Sequence, residues 1–385
     1  MRVGLNALYL VPEHVGGVEV FARELVEALT RSPSPIEFTV FISRDAEGVF
    51  TPVRGKCDIV VCPFNARMRF ARYFWEQFVL PWQVMVRRLD VLHSMSYVGP
   101  VICPVPTVLT IHDANSRRRA VTMSPVRRAA LSLVSGLAAK CADIVTTVSR
   151  FSRDELVRWY KLPGEKIQVI SSGPGARHVE QMPLTTPELE RSVGAGPYIT
   201  AMGGSWAHKN ISRLVQAYEQ IACDIPHRLI ISGSIYGATV ETKLCDKILC
   251  TGYLERSDLQ ELLRRSDLFV MPSLYEGFGF PVLEAQSLGV AVACSNVAAL
   301  PELMRDSAAF FDPENVNEMA EVTKRCVTDR SFNEEMRRKS GENIRRFSWT
   351  STAAGYEELY IKLGQKKSGW LPHSFACILR VLRAS

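Results

Sequence analysis

Two glutamates eight positions apart in a glycine-rich segment are the residues best suited to chemistry in this chain. Glu276 precedes and Glu284 follows the core Gly277–Phe280, which is closed by Pro281. The apolar run at 267–271 predicts a buried strand, the two glycines predict a turn, and Pro281 fits the first turn of a helix. We therefore expect Glu276 in a strand-to-helix loop and Glu284 in the first turns of the helix.

This arrangement predicts a row of backbone donors at the helix start. The N–H groups of Gly277, Phe278, Gly279 and Phe280 would lack intrahelical partners and could hold oxygen atoms of an anionic or hydroxyl-rich ligand, such as a sugar nucleotide. Paired carboxylates also carry out glycoside hydrolysis. The amides and the helix start favour holding a nucleotide sugar instead. A surface turn with one helix-capping glutamate is the simpler alternative.

A second candidate cluster opens the second half of the chain. Lys209 follows Gly203 and Gly204 in a strand-to-helix turn just before the helix that we predict from Ile211. A glycine turn that ends in a cation suits a diphosphate, although such turns are also common on surfaces. The sequence has no Asp-x-Asp and no acid or histidine cluster with metal-ligand spacing. We therefore predict no metal ion and no cofactor besides the nucleotide sugar, with the diphosphate charge met by Lys209, helix N-termini and amides.

The first half of the chain has its own candidates. Gly16 and Gly17 end the first loop and open a helix, which could equally be a helix-entry turn without a ligand. His112 ends the strand predicted over Thr107–Ile111, so we expect it to point at a cleft rather than at the core. A core histidine with satisfied hydrogen bonds is the usual alternative. Ser149 ends another strand, where it could be a helix N-cap.

Composition limits the class of protein. A chain of 385 residues favours two domains, and 47% hydrophobic with 22% charged residues is typical of a globular protein. Ten scattered cysteines without a Cys-x-x-Cys pair argue against zinc and favour a reducing compartment. The start of the chain reads as a buried strand rather than a signal peptide, and no apolar run reaches membrane-spanning length. We therefore expect a cytoplasmic protein.

The net charge of +6 is concentrated in short basic runs. They lie at Arg117–Arg119, Arg127–Arg128, Lys366–Lys367 and in the tail that ends with Arg380 and Arg383. Such runs are either a solvated surface or attract anionic lipid headgroups or a lipid pyrophosphate. Nucleic-acid binding would need interleaved stacking aromatics, which are missing from these runs. The tail from Trp370 is either an interfacial amphipathic segment or a packing helix. From the basic runs together with this tail, we expect peripheral attachment to the inner face of the cytoplasmic membrane.

Alternating strand and helix patterns predict the fold class. Strands and helices alternate in both halves, which is typical of α/β domains with parallel sheets and helices on both faces. The pattern predicts two Rossmann-like, doubly wound domains facing a cleft at the carboxyl ends of their strands. The helix at Arg72–Arg88 is expected to be interrupted by Pro81. The predicted ranges are a first domain at 1–181, a linker at 182–197, a second domain at 198–346, a helix at 347–364 and a basic amphipathic tail at 365–385.

These features together resemble the retaining glycosyltransferases of family 4, which have the GT-B fold. The resemblance extends to about residue 349 and rests on motifs in the family's order. They are Gly16-Gly17, Trp75-Glu76-Gln77 with Leu80-Pro81, Ile111-His112-Asp113, Val148-Ser149-Arg150-Phe151-Ser152, Gly203 with His208-Lys209-Asn210, and the segment from Glu276 to Glu284.

The resemblance implies that the domain at 1–181 is the acceptor side, that the domain at 198–346 binds the nucleotide sugar, and that the helix at 347–364 crosses back to the first domain. It also implies roles for individual residues. It implies that Glu276 and the following amides contact the donor sugar and its phosphates, and that Glu284 hydrogen-bonds the ribose hydroxyls. The amides of Gly16-Gly17 would face the donor phosphates, and His112 would lie in the donor-sugar and acceptor region. The family often adds an arginine near the lysine. Here Gly204 and His208 stand at the corresponding places, so the second cation is in question.

The function implied is metal-independent transfer of a hexose with retention of its anomeric configuration, onto a glycan or lipid-linked glycan acceptor. Likeness to mannosyltransferase-type members makes mannose from GDP-mannose the first choice of donor. A UDP-sugar-dependent transferase for glucose, GlcNAc or a similar sugar is the alternative. A sugar-nucleotide epimerase, a phosphorylase, or a non-catalytic polyanion or lipid-headgroup binder on the same scaffold also stays open.

Overall fold

The computed structural model of the chain consists of two compact units. It describes residues 1–11, 16–53, 55–115, 125–175, 187–194, 196–204, 206–235 and 246–365. The first unit contains Met1–Gly173 together with the chain from Ser348 onward, and the second contains Pro174–Phe347. No helix among these residues is both long and apolar enough to cross a bilayer.

The first unit is built on a parallel sheet with seven described strands. Their inner positions are almost continuously apolar, as expected of strands that helices cover on both faces. In spatial order the strands are Asp58–Cys62, Glu37–Ser43, Arg2–Asn6, Val91–Ser94, Thr107–Thr110, Ile144–Thr147 and Ile167–Val169. The helical segments are Gly17–Arg31, Arg44–Val53, Arg69–Phe74, Trp75–Val79, Leu80–Val86, Pro125–Cys141, Arg150–Tyr160, Gly164–Lys166 and Trp349–Gln365.

The second unit repeats this construction with six described parallel strands. In spatial order they are Ile248–Gly252, Arg228–Ile235, Tyr198–Gly204, Leu268–Met271, Ala291–Ser295 and Ala309–Phe311. The helical segments are Pro187–Val193, Ala207–Lys209, Ile211–Ile221, Arg256–Arg264, Phe280–Ser287, Leu300–Met304, Val316–Thr328, Arg330–Asn343 and Ile344–Arg346. The prediction of two doubly wound α/β units is confirmed.

Each sheet has a point where the order of its strands reverses. In the first unit it lies between Arg2–Asn6 and Val91–Ser94, and in the second between Tyr198–Gly204 and Leu268–Met271. In open α/β sheets, ligands bind at the carboxyl ends of the strands beside this reversal. The loops that follow these four strands are therefore where a site is expected.

A buried polar network joins the C-terminal helix to the first sheet, which confirms the predicted crossing-back helix. His93 Nδ1 lies 2.6 Å from the Tyr360 hydroxyl, and His93 Nε2 lies 2.7 Å from Thr110 Oγ1. Thr110 and Tyr356 both contact Thr146 Oγ1, at 2.7 and 3.1 Å. Burial lowers the pKa of His93 to about 3, so the ring is neutral at physiological pH. A neutral ring can donate from one nitrogen and accept at the other, which suits a chain of hydroxyl partners.

The structure divides the chain earlier than the expected linker. The first unit ends at Gly173, and part of the expected linker at 182–197 is the helix Pro187–Val193. Residues 182–186 and 195 lie outside the described part. The helix packs Leu189 against a buried cluster that includes Tyr198. Seven residues are too few to show a helical period, so the proline and threonine residues before the helix dominate the sequence pattern.

The helix around Pro81 continues where the sequence predicted an interruption. Arg69–Phe74 passes into a π turn at Trp75–Val79, and the α-helix resumes at Leu80–Val86. Pro81 has no N–H to donate, so an α-helix loses one hydrogen bond there. The wider turn just before it, in which the Leu80 N–H bonds to the carbonyl of Trp75, takes up the change in register.

The hydroxyl of Tyr360 should stabilise the first unit. Tyr360→Phe removes one partner of the buried His93 ring and should lower the unfolding free energy by about 1–3 kcal/mol. Tyr253→Phe is the matched control, because Tyr253 is 70% exposed. Chemical denaturation would measure both variants. Equal midpoints for Tyr360→Phe and the parent chain would contradict the structural role of the network.

Candidate functional site

An ion pair in the second unit joins two of the predicted site residues. Lys209 lies in the turn after Tyr198–Gly204, and Glu276 lies in the loop after Leu268–Met271. Lys209 Nζ is 2.8 Å from Glu276 Oε1, and the two side chains are 20% and 14% exposed. The strands are the neighbours at which the sheet order reverses. The structure thus brings one cation and one carboxylate together where a ligand is expected.

Glycine clears the path of the lysine side chain. A Cβ at Gly204 would lie 3.3 Å from Lys209 Cγ, closer than most contacts of a real Cβ. Gly233, on the neighbouring strand, has φ +90°, and a Cβ there would lie 3.1 Å from the carbonyl oxygen of Gly203. The strand end is therefore shaped for close approach of backbone and lysine. Of the two positions considered for a second cation, Gly204 has no side chain and His208 is half-buried in the same turn as Lys209.

Asn210 ties three loops together directly behind Lys209. Its Nδ2 donates to the carbonyl oxygens of Pro272 and Pro313, at 3.0 and 2.8 Å. The amide of Leu274 donates to the carbonyl of His208 at 2.8 Å. Asn210 has φ +57°, a left-handed conformation that asparagine tolerates better than most residues. This one side chain therefore holds the loop that carries Glu276 against the turn that carries Lys209.

The glycine loop is packed into its unit by its aromatic residues. Gly277, Phe278 and Gly279 are buried, and Phe280 is half-buried. The Phe278 ring lies 5.0 Å from the Phe280 ring in an edge-on arrangement. Gly279 has φ +93°, a conformation that favours glycine, and a Cβ there would lie 2.8 Å from a methyl group of Leu300, which would have to shift. Contact between a ligand and the amides of this loop stays a prediction.

Glu284 lies in the helix Phe280–Ser287, as predicted, and is half-buried. Gln260 Nε2 lies 3.5 Å from Glu284 Oε1. Gln260 is buried in the helix Arg256–Arg264. Its polar amide faces the carboxylate from a neighbouring element, a contact that a single sequence does not indicate because glutamine is common on helices.

His112 is more buried than its position at a strand end predicted. It is 7% exposed, and its ring stands edge-on to Phe21 at 4.7 Å. Burial lowers the pKa of His112 to about 4, so the ring is neutral at physiological pH. Nε2 lies 3.3 Å from the carbonyl oxygen of Met95. Since a carbonyl only accepts, Nε2 carries the proton and Nδ1 keeps an acceptor lone pair. A catalytic role for His112 stays a prediction.

The other candidates of the first unit lie at helix starts. Gly16 has φ +56° and opens the helix Gly17–Arg31; both glycines are exposed. Ser149 Oγ accepts a hydrogen bond from the amide of Ser152 at 3.0 Å, so the N-cap interpretation of Ser149 is confirmed. Contact between a ligand and Gly16 or Gly17 stays a prediction.

Glu76, in the Trp75-Glu76-Gln77 motif, is a buried carboxyl that was not among the predicted site residues. It is 1% exposed, and burial raises its pKa to about 7, against the opposing effects of Arg72 and a hydrogen bond with Asn6. Asn6 also donates to Ser94 Oγ at 3.2 Å. Asn6 and Ser94 end the two strands at the reversal of the first sheet, so Glu76 lies near the edge where a ligand is expected. The signal that could have found it is that Glu76 is the only acidic residue of the helical segment 69–86.

Loss of the Asn210 amide should loosen the site. Asn210→Ala leaves two buried carbonyls without their donor, which should cost about 1–3 kcal/mol of unfolding free energy. Asn317→Ala is the matched control, because the side chain of Asn317 bonds only to the exposed Gln220 in the described contacts. Thermal denaturation would measure both. If Asn210→Ala is as stable as Asn317→Ala, the result would contradict this positioning role of Asn210.

Glu76 should make stability depend on pH. The folded pKa of about 7 exceeds the ordinary 4.5, so the folded chain binds more protons between these values. The contribution of Glu76 to the unfolding free energy is therefore fully present below about pH 4.5. It is lost as pH rises through 7, by about 3 kcal/mol in total. Glu76→Gln should remove this slope and be more stable than the parent at pH 8. Parallel stability profiles of the two proteins between pH 5 and 8 would contradict the shift.

Comparison with protein families identifies both halves of the chain. The sequence model described as "Glycosyl transferases group 1" matches residues 190–347, and that described as "Glycosyltransferase Family 4" matches residues 15–173. The chain is 32% identical over 233 residues to an O-antigen chain mannosyltransferase B of Escherichia coli, covering 57% of this chain and 61% of that protein. It is 26% identical to the serotype-specific mannosyltransferase WbdA of E. coli, over 55% of this chain and 28% of that protein. The match thus spans less than two thirds of either relative.

Solved structures share the fold at low identity. Sucrose-phosphate synthase from Thermosynechococcus elongatus has a TM-score of 0.74 at 18% identity, covering 95% of this chain and 100% of that chain. Anabaena HepE in complex with UDP and glucose has a TM-score of 0.71 at 16% identity, covering 94% and 100%. These neighbours confirm the expected GT-B fold. Because the two matched ranges lie in order on the two doubly wound units, the chain belongs to the family 4 glycosyltransferases, with a second unit of the glycosyl transferases group 1.

Proposed function

We propose that the protein transfers mannose from GDP-mannose to a glycan or lipid-linked glycan acceptor with retention of configuration. The observation that carries this proposal is the Lys209–Glu276 pair beside the strand reversal of the second unit. Relatives named as mannosyltransferases support the choice of sugar. Polysaccharide or glycolipid synthesis is the corresponding process. A UDP-sugar donor is the alternative that the same site could serve.

The ion pair gives each charge a role in donor binding. An arriving diphosphate offers Lys209 oxygens of higher charge than one carboxylate, and charge-assisted bonds of this kind are strong. As Lys209 turns to the phosphate, Glu276 is released to accept hydrogen bonds from donor-sugar hydroxyls. Lys209 then stabilises the negative charge that develops on the leaving diphosphate. Glu284 would accept bonds from the ribose, and no metal ion enters the proposal.

The transfer itself is proposed to take place on one face of the sugar. The bond from the anomeric carbon to the diphosphate oxygen breaks while a bond from the acceptor oxygen forms on the same face. The acceptor proton passes to the leaving phosphate oxygen. Neutral His112, with an acceptor lone pair on Nδ1, is proposed to bind a hydroxyl of the donor sugar or acceptor. The chain thus supplies position and charge stabilisation rather than a nucleophile.

Peripheral attachment to an anionic membrane is part of the proposal. Most of the basic runs that were expected to bind the membrane are not described by the structure. Arg117–Arg119 and the tail from Lys366 lie outside the described residues, and the side chains of Arg127–Arg128 are not described. Their contribution stays a prediction.

Donor identity and metal dependence can be measured in one assay. The full chain should release GDP from GDP-mannose faster than UDP from UDP-glucose or UDP-GlcNAc, and EDTA should leave the rate unchanged. Faster release of UDP would favour the alternative donor. Binding without turnover of any sugar nucleotide would favour the non-catalytic binder, and an absolute requirement for a divalent ion would contradict the charge scheme.

Substitution of the two residues of the ion pair should affect GDP affinity differently. Lys209→Met should weaken GDP binding by about 1.5–3 kcal/mol, because a charged hydrogen bond to phosphate is lost. Glu276→Gln should keep or improve GDP affinity, since a competitor for Lys209 is gone, while turnover falls at least about tenfold. Calorimetry and initial rates would measure both.

A matched control is Lys324→Met. Lys324 is an exposed lysine that pairs with Asp224 in the same unit. It should keep the GDP affinity and rate of the parent. Unchanged GDP affinity in Lys209→Met, or equal loss of GDP affinity in Glu276→Gln, would contradict the assignment.

A further inference from the structure

One helical segment of the first unit exposes a row of large apolar side chains. The segment runs through Arg69–Phe74, Trp75–Val79 and Leu80–Val86. Exposed on it are Phe70 at 92%, Phe74 at 60%, Phe78 at 67% and Trp82 at 54%, followed by Met85 and Val86. The rings of Phe74 and Phe78 are 5.2 Å apart, so the row is continuous there. We call Phe70, Phe74, Phe78 and Trp82 the aromatic row.

The opposite side of the same segment packs into the core. Leu80 and Val84 are buried in the core of the first unit, and Ala71 and Trp75 pack against the same cluster. A surface helix normally presents polar residues to water, whereas the exposed residues of this segment are apolar apart from Arg69. A large exposed apolar patch marks an interaction site. The exposed apolar side of the segment is therefore expected to contact a partner.

The π turn keeps the aromatic row in line. Residues four apart in an α-helix drift sideways by about 40° at each step, so three such steps would carry Trp82 well away from Phe70. The wider turn at Trp75–Val79 reverses part of that drift in the middle of the row. The irregular turn thus places all four rings on one side while Leu80 and Val84 stay in the core.

The charges around the row favour an anionic partner. Arg69 at the start of the segment and Arg88 just beyond its end are both exposed. The only acidic residue between positions 67 and 88 is Glu76, which is buried on the inner side. Pairing of two such rows, parallel or antiparallel, would bring arginines together at both ends. A second copy of the chain is therefore a poorer occupant than an anionic surface.

We propose that the aromatic row inserts into the interface of an anionic lipid bilayer, with the helical segment lying flat on the membrane. Aromatic side chains favour the boundary between headgroups and acyl chains, and flanking arginines contact anionic headgroups. The inference deepens the proposed function, because it shares the membrane as partner. It rests on a different, described surface and requires neither the basic runs nor a particular donor.

Vesicle partitioning of the full chain tests this insertion. The probe is phosphatidylcholine vesicles with and without phosphatidylglycerol, at low and high salt. Phe70→Ser combined with Phe78→Ser should lower the partition constant for the anionic vesicles at least tenfold and remove the part of binding that resists high salt. Phe70→Ser alone, at the most exposed position, should give a smaller loss in the same direction. Ile361→Ser, at an exposed apolar residue of another helix, is the matched control and should bind like the parent.

Tryptophan quenching locates the inserted side chain. Trp82→Phe keeps an aromatic ring, so it should retain binding while losing part of the fluorescence quenching by brominated lipids. Lys366→Glu with Lys367→Glu should change only the salt-sensitive part of binding. Release of GDP from GDP-mannose without vesicles should be unaffected by the phenylalanine changes. If the parent shows no such release, the proposed function fails while the partitioning result stands.

Three results would overturn the insertion. One is equal partitioning of the double phenylalanine variant and the parent. Another is unchanged quenching in Trp82→Phe. The third is sedimentation showing that the parent self-associates through this row while vesicle binding is unaffected by the variants, which would make the row an interface between copies.

Discussion

The half-buried ion pair between Lys209 and Glu276 sets the shape of the second unit's ligand edge. A lysine and a carboxylate that are mostly withdrawn from water need each other's charge, and removal of one leaves the other uncompensated. Their loops must therefore meet, and the surrounding residues make this feasible. Gly204 gives the lysine room, and Asn210 holds the loop of Glu276 in place. In the proposed function the pair is exchangeable, because a diphosphate replaces the carboxylate at Lys209 while Glu276 accepts hydrogen bonds from donor-sugar hydroxyls.

The two units use one topology for different electrostatic purposes. At the strand reversal of the second unit, the charges are paired and partly exposed. At the reversal of the first unit, the titratable groups Glu76, His93 and His112 are buried, and burial shifts each pKa towards the neutral form. Burial at the first edge therefore disfavours charge on these three groups, whereas the second edge carries a charged pair. In the proposed function, the second edge binds the anionic donor and the first edge binds the hydroxyl-rich acceptor.

The sequence predicted the elements well where long-range contacts are not needed to define them. Parallel strands are buried on both faces, so their apolar runs stand out, and Glu276 and Glu284 were placed correctly in loop and helix by Gly279 and Pro281. The π turn at Trp75–Val79 was missed, because proline usually ends a helix and its accommodation depends on tertiary packing. The aromatic row was missed for a related reason. Its residues alternate with those of the inner face, and only the structure shows which of them the core covers.

Pair contacts set a second limit on prediction from sequence. The ion pair joins residues 67 positions apart, and Asn210 reaches Pro313 across 103 positions. Composition and spacing carry no signal for such contacts in a single sequence. The burial of His112 likewise depends on Phe21 from a distant helix. Strand-end position predicted its location in the fold but not the packing that makes its ring neutral.

In the proposed function, Lys209 exchanges its contact with Glu276 for one with the donor diphosphate. A crystal structure of the full chain with bound GDP-mannose tests it most directly. The account predicts Lys209 Nζ within hydrogen-bonding distance of a phosphate oxygen, with the contact to Glu276 Oε1 broken and Glu276 directed to the sugar. A bound diphosphate contacted by other cations, with the Lys209–Glu276 pair intact, would contradict it.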